Sequence, residues 1–77
     1  MDTTAIESTL REALPGCDLT LSADGNKLGL KIVSDAFDGL NRVKRQQKIY
    51  ALLNDRIQSG EIHAVSMVTL TTAEAGD

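Results

Sequence analysis

The sequence predicts a small α+β domain: a three-stranded sheet with its helices packed on one face, in the order helix, strand, strand, helix, strand. Three observations carry this reading. Two segments repeat apolar residues at helical spacing, and three others alternate aliphatic with polar residues or are rich in β-branched ones. Each apolar helical stripe also needs a second layer to cover it, which one sheet supplies. With 77 residues, the chain is read as a single domain over 1–77, near the lower size limit for a core without metal or crosslinks.

The first helix is expected to begin at a capping box, with Thr4 accepting from the backbone N–H three residues on and Glu7 reaching back. Ile6, Leu10, Ala13 and Leu14 then fall on one face, and Pro15-Gly16 ends the element. From Asp18 the period becomes two. Leu19 and Leu21 alternate with Thr20 and Ser22, and Leu28, Leu30 and Ile32 alternate with Gly29 and Lys31, which predicts a β-hairpin turning at Asp24-Gly25-Asn26.

A short helical turn is expected around Asp35 to Leu40, followed by the longest helix, from about Asn41 to Ser59. Ile49, Leu53, Gln46, Ile57, Tyr50 and Val43 lie within an arc of about 120° at helical spacing, while Lys44, Lys48, Arg45 and Asp55 fall on the other side. Gly60 ends it. Ile62 to Leu70, rich in β-branched residues, reads as the third strand, and residues 71–77 as a flexible tail or one short turn.

Composition narrows the function. At 42% hydrophobic and 25% charged residues the chain fits neither a disordered, a collagen-like nor a membrane class. No apolar run approaches the roughly 20 residues that span a bilayer, and MDTTAIESTL lacks the basic and apolar regions of a secretory signal, so a cytoplasmic protein without membrane attachment is expected. A single cysteine, Cys17, excludes an internal disulfide and a tetrahedral cysteine site; any soft-metal chemistry needs a second molecule. The net charge of −3 is segregated. Arg42, Lys44, Arg45 and Lys48 put +4 into one short stretch and leave −7 for the rest.

His63, the only histidine, stands at the expected start of the third strand. Imidazole ligates transition metals and titrates near neutral pH, although a lone histidine is more often a surface side chain without a ligand. Cys17 reads as a small apolar packing residue, since no basic neighbour lowers its pKa. One Cys and one His without an orienting third residue make no catalytic case, and the glycines form no phosphate loop, so the chain is read as not an enzyme. The cluster Arg42, Lys44, Arg45 and Lys48 offers phosphate contacts or is a solvated face; only Phe37 and Tyr50 are available for base stacking.

The run VSDAFDGLNRVKRQQKIYALLNDRI followed by IHAVSMVTLT resembles the BolA-like family, and within it the IbaG-like branch, over nearly the whole chain. The telling pieces are the Phe37-Asp38-Gly39 turn, the helix start from Arg42 to Gln47 with Tyr50 one turn later, and Ile62-His63-Ala64-Val65-Ser66. The resemblance implies a fold similar to a class II KH domain. It also implies a non-enzymatic partner of monothiol CGFS-type glutaredoxins, active in iron-sulfur assembly, trafficking or iron sensing and in stress response. His63 is implied as a ligand to a 2Fe-2S cluster shared with the glutaredoxin and glutathione, with no cofactor in the isolated protein, which is expected as a monomer or weak homodimer.

One position departs from the pattern: Lys27 stands where the branch has histidine as a second ligand, and an ammonium has no lone pair for iron. Three outcomes stay open: His63 suffices, the cluster is held more weakly or differently, or only an apo complex forms. In the tail Thr72 replaces a common proline and Ala75 a common aromatic. The competing reading is a KH-like nucleic-acid-binding transcriptional regulator using Arg42, Lys44, Arg45 and Lys48.

Overall fold

The structure, a computed structural model, describes residues 1–76. Its elements are α1 (Thr3–Ala13), β1 (Asp18–Asp24), β2 (Lys27–Val33), a 3-10 turn (Asp35–Phe37), α2 (Arg42–Gln58), β3 (Ala64–Leu70) and α3 (Thr72–Ala75). The sheet order is β1-β2-β3, with β1 antiparallel and β3 parallel to β2. Because β2 is central, its alternate residues Leu28, Leu30 and Ile32 are buried, and the register sets Leu19 and Leu21 on one side and Val65 and Met67 on the other. Against this face pack Ile6, Leu10 and Leu14 from the first helical segment, Ile49 and Leu53 from α2, and Phe37, Ile62 and Cys17. The helices thus share one face, and the α+β architecture is as the sequence predicts.

Local details differ from the sequence reading. Asp2, rather than Thr4, caps α1: its Oδ1 accepts the Ala5 N–H at 3.0 Å, and a carboxylate there also suits the positive end of the helix. Glu7 is therefore free to pair with Arg11 one turn later, at 2.9 Å. The hairpin loop shortens to Gly25-Asn26, because Asp24 already pairs with Lys27. Gly25 has φ of +61° and Asn26 a negative φ, the pattern of a turn with glycine in its first central position, whose twist matches the strands.

In α2, Asn41 Oδ1 accepts the Lys44 N–H at 2.9 Å, and the helix ends where expected. Its buried stripe, however, is rotated. Val43 is 60% and Tyr50 41% exposed, whereas Ile49 and Leu53 are fully buried and Arg45, Gln46, Leu52, Arg56 and Ile57 partly so. The cause is Arg45, whose long stem occupies the edge of the core while its guanidinium finds polar partners there. β3 begins at Ala64 rather than Ile62; Ile62 instead plugs the end of the core, at 1% exposure.

Within the segment expected to be a flexible tail or one short turn, the four-residue α3 forms. The Thr71 side chain and Glu74 make a reciprocal capping box: the Glu74 N–H donates to Thr71 Oγ1 at 3.2 Å, and the Thr71 N–H donates to Glu74 Oε1 at 2.7 Å. Arg45 joins the same carboxylate at 2.7 Å. The Arg45 guanidinium first, and then the Thr71 N–H, hold the Glu74 carboxyl below its ordinary value of 4.5. A carboxyl depressed in the folded state contributes stability that is complete above its ordinary pKa and disappears as pH falls below that through the folded value. The α3 amide resonances are therefore expected to move toward unfolded positions only below pH 4.5. Glu74→Gln should remove this titration; a native-like titration in that variant would show that another group governs it.

Candidate functional site

His63 is brought to the hairpin by the way α2 ends. Gly60, with φ of +84°, reverses the chain in a conformation that other residues rarely adopt. The Ile62 N–H then donates to Arg56 O at 3.2 Å, and the Ile62 side chain fills the core. One residue on, the His63 N–H donates to Asn26 O at 2.8 Å, which fastens its backbone to the hairpin tip, while the residue itself remains exposed. A Cβ placed on Gly60 would lie 3.5 Å from His63 Nε2, so the ring stands over the reversing turn. Lys27 pairs with Ala64, the residue after His63. The exposed loop residues, Lys27 and His63 thus share one end of the sheet.

The other candidates are elsewhere. Cys17 is buried and precedes Asp18, which pairs with Val33 at the opposite end of the sheet from Lys27. Six residue steps along β2 separate the two ends by about 20 Å, so no Cys–His pair forms. Glu61, two residues before His63, is held 3.7 Å from Arg56. Among the described residues, no group of three or more His, Cys, Asp or Glu could hold a metal ion. His63 therefore fits a metal or cluster as one ligand of a set completed by another molecule; the donor set does not fit a cluster held by this chain alone.

The four cations do not form one strip. Arg45 is a structural residue, with its side chain only 12% exposed. Its Nε donates to Leu40 O at 2.8 Å, its Nη1 donates to Thr69 O at 3.1 Å and to Glu74, and its guanidinium lies 6.0 Å from the Phe37 ring centroid. This corrects its assignment to a nucleic-acid-binding set. Its position four residues before Ile49, on the same helical face, was the signal for this role. Arg42, Lys44 and Lys48 are exposed and make no ion pair among the described residues. Lys44 and Lys48 are neighbours one turn apart, whereas Arg42 is about 120° around the helix from Lys48.

Fold and site together define a small α+β domain with one exposed imidazole tethered to a hairpin tip. The chain belongs to the BolA-like family: the model for BolA-like proteins matches residues 7–74. It is 39% identical over 74 residues to the acid stress protein IbaG of Escherichia coli (strain K12), covering 96% of this chain and 88% of that protein. Its structure is similar to BolA1 from Arabidopsis thaliana, with a TM-score of 0.84, 31% identity and 92% of each chain covered. It is also similar to the BolA domain of SufE1 from the same plant, with a TM-score of 0.87, 37% identity and again 92% of each chain covered. No described helix is long and apolar enough to cross a membrane.

Proposed function

We propose that this protein is a non-enzymatic partner of a monothiol CGFS glutaredoxin and contributes His63 to a 2Fe-2S cluster that the two proteins share with glutathione. The observation that supports this most directly is the exposed His63 imidazole on a backbone anchored to the hairpin tip, with no group of three or more His, Cys, Asp or Glu among the described residues to make a site without a partner. Family membership and the resemblance around Ile62 to Ser66 supply the partner class. His63 presents a neutral nitrogen to one iron position, and the thiolates come from the glutaredoxin and glutathione. When bound, a cluster with imidazole in place of a thiolate has a raised reduction potential, suited to electron or cluster exchange. Buried Ile62 and the hydrogen bond to Asn26 fix the backbone from which the imidazole is offered.

Titrating the purified chain into cluster-loaded glutaredoxin is expected to change visible absorption and circular dichroism, saturating near equimolar addition. His63→Ala should abolish the change. Spectra indifferent to the native chain, or equal for both proteins, would remove the ligand assignment. Lys27→His provides a gain-of-ligand arm. Lys27 is exposed and makes no ion pair among the described residues, so the replacement should cost under about 0.5 kcal/mol of stability. It should slow cluster loss to a chelator; an unchanged rate would place position 27 away from the cluster.

A further inference from the structure

The far end of β3 carries a second surface. β3 is an edge strand, bonded on one side to β2 only. The Ser34 N–H donates to Leu70 O, so Leu70 faces β2; in a parallel ladder its alternates Val68, Ser66 and Ala64 do the same. The N–H and C=O groups of Val65, Met67 and Thr69 therefore point outward. Arg45 takes the Thr69 carbonyl, and the outward groups of Val65 and Met67 have no backbone partner among the described residues. An edge of this kind is a template for another strand unless it is covered or charged. Here the strand itself carries no charged side chain and Arg45 covers only the Thr69 carbonyl: Val68 is 51% exposed, and a cleft of about 250 Å³ runs along Met67 to Leu70, lined also by Arg42 and Arg45.

We infer that this edge is a docking site for an extended, acidic segment of a partner protein, which adds to β3 as a fourth strand. Backbone pairing with Val65 and Met67 supplies affinity, Val68 takes an apolar side chain, and Arg42 takes a carboxylate. Charge selects the occupant. Arg45 is neutralised by Glu74, but Arg42, the other cation lining the cleft, has no ion pair among the described residues and attracts an acid there. The opposite edge, β1, begins at Asp18 and ends at Asp24 and repels the same segment. A nucleic-acid strand fits less well, because no aromatic ring lines the cleft for stacking and outward N–H and C=O groups in alternation match a peptide backbone. Val68, in the cleft, lies about 17 Å along the strand from His63, and although the pairing reaches Val65, two residues from it, the docking uses backbone groups and Arg42 and not the imidazole, so it does not rest on the cluster reading.

The probe is a capped synthetic peptide of alternating Glu and Val, titrated into isotope-labelled protein at up to about 1 mM, with amide exchange read by NMR. The amides of Val65, Met67 and Thr69 are expected to slow by about tenfold or more on saturation, those of β1 to stay unchanged, and Arg42→Glu to weaken binding by about tenfold. N-methylating the peptide along one edge should abolish binding, and along the other should leave it intact. His63→Ala should bind like the native chain. No binding, or shifts at Lys44 and Lys48 without protection at Val65 and Met67, overturns the proposal. It also fails if single-stranded oligothymidylate protects the edge better than the peptide, or if protection rises with protein concentration alone, which would make a second copy the occupant.

Discussion

Phe37→Ala is expected to be the most damaging single substitution in this chain. The ring is fully buried, yet it comes from a three-residue turn rather than from a regular element. That turn is closed by the Ala36 N–H on Ser34 Oγ at 3.1 Å and by the Phe37 N–H on Ser34 O at 3.2 Å. The side chain thus plugs the core where β2 passes into α2 and also supports the Arg45 guanidinium. Truncating a buried phenylalanine to alanine costs about 3–5 kcal/mol, and a domain of this length has about 4–12 kcal/mol in total. At about 4–8 °C per kcal/mol, the thermal midpoint should fall by at least 12 °C or so, with partial unfolding at room temperature if the native margin is small. Val43→Ala is the contrasting control. Both residues are apolar, but Val43 is 60% exposed, so its truncation should stay within about 0.5 kcal/mol in urea denaturation. Equal losses for the two variants would contradict the packing described.

The contrast between Phe37 and Val43 shows what the sequence carries and where it stops. The limits of α2 were legible because Asn41 and Gly60 are chemical punctuation: a side chain that caps N–H groups and a residue free to take positive φ. Which face of α2 is buried was less legible. Periodicity finds a stripe of apolar residues, but an arginine with three aliphatic carbons can share that stripe whenever carbonyls lie at the far end, and those carbonyls belong to Leu40 and Thr69, the latter distant in sequence. The start of β3 was misplaced for a similar reason. Ile62 has the residue type of a strand, and only the hydrogen bond from Ile62 to Arg56 O shows that the chain is still leaving the helix there. The capping box of α3 was present as Thr71 and Glu74, but four helical residues with no apolar stripe left a flexible tail and one short turn equally open, and the structure has the turn. At the candidate site, His63 was visible as the only histidine, and its role came from family resemblance. Its closeness to Asn26 and Lys27 follows from strand register, which no local pattern encodes.

Arg45→Ala should separate the structural cation from its exposed neighbours. The native side chain satisfies the carbonyls of Leu40 and Thr69, pairs with Glu74 and covers Phe37, all from a position 12% exposed. Alanine removes the stem and leaves two partly buried carbonyls to find water. Hydrogen bonds from a charged donor contribute about 1.5–3 kcal/mol each, but they are not additive here because one planar group makes them all. A loss of about 2–4 kcal/mol is expected, together with release of α3, seen as unfolded-like shifts at Ala73 and Ala75. Arg45→Lys should recover only part of this, since one ammonium cannot reproduce a fork that serves three oxygens on different elements. Lys44→Ala and Lys48→Ala, at exposed positions without ion pairs among the described residues, should change stability by no more than about 0.5 kcal/mol. If Arg45→Ala behaved like those two, the four cations would have to be treated as one surface set again, and the removal of Arg45 from the nucleic-acid-binding residues would be wrong. If it unfolds α3 as expected, the exposed cations of this helix start left to a partner are Arg42, Lys44 and Lys48, and Arg45 belongs to the fold.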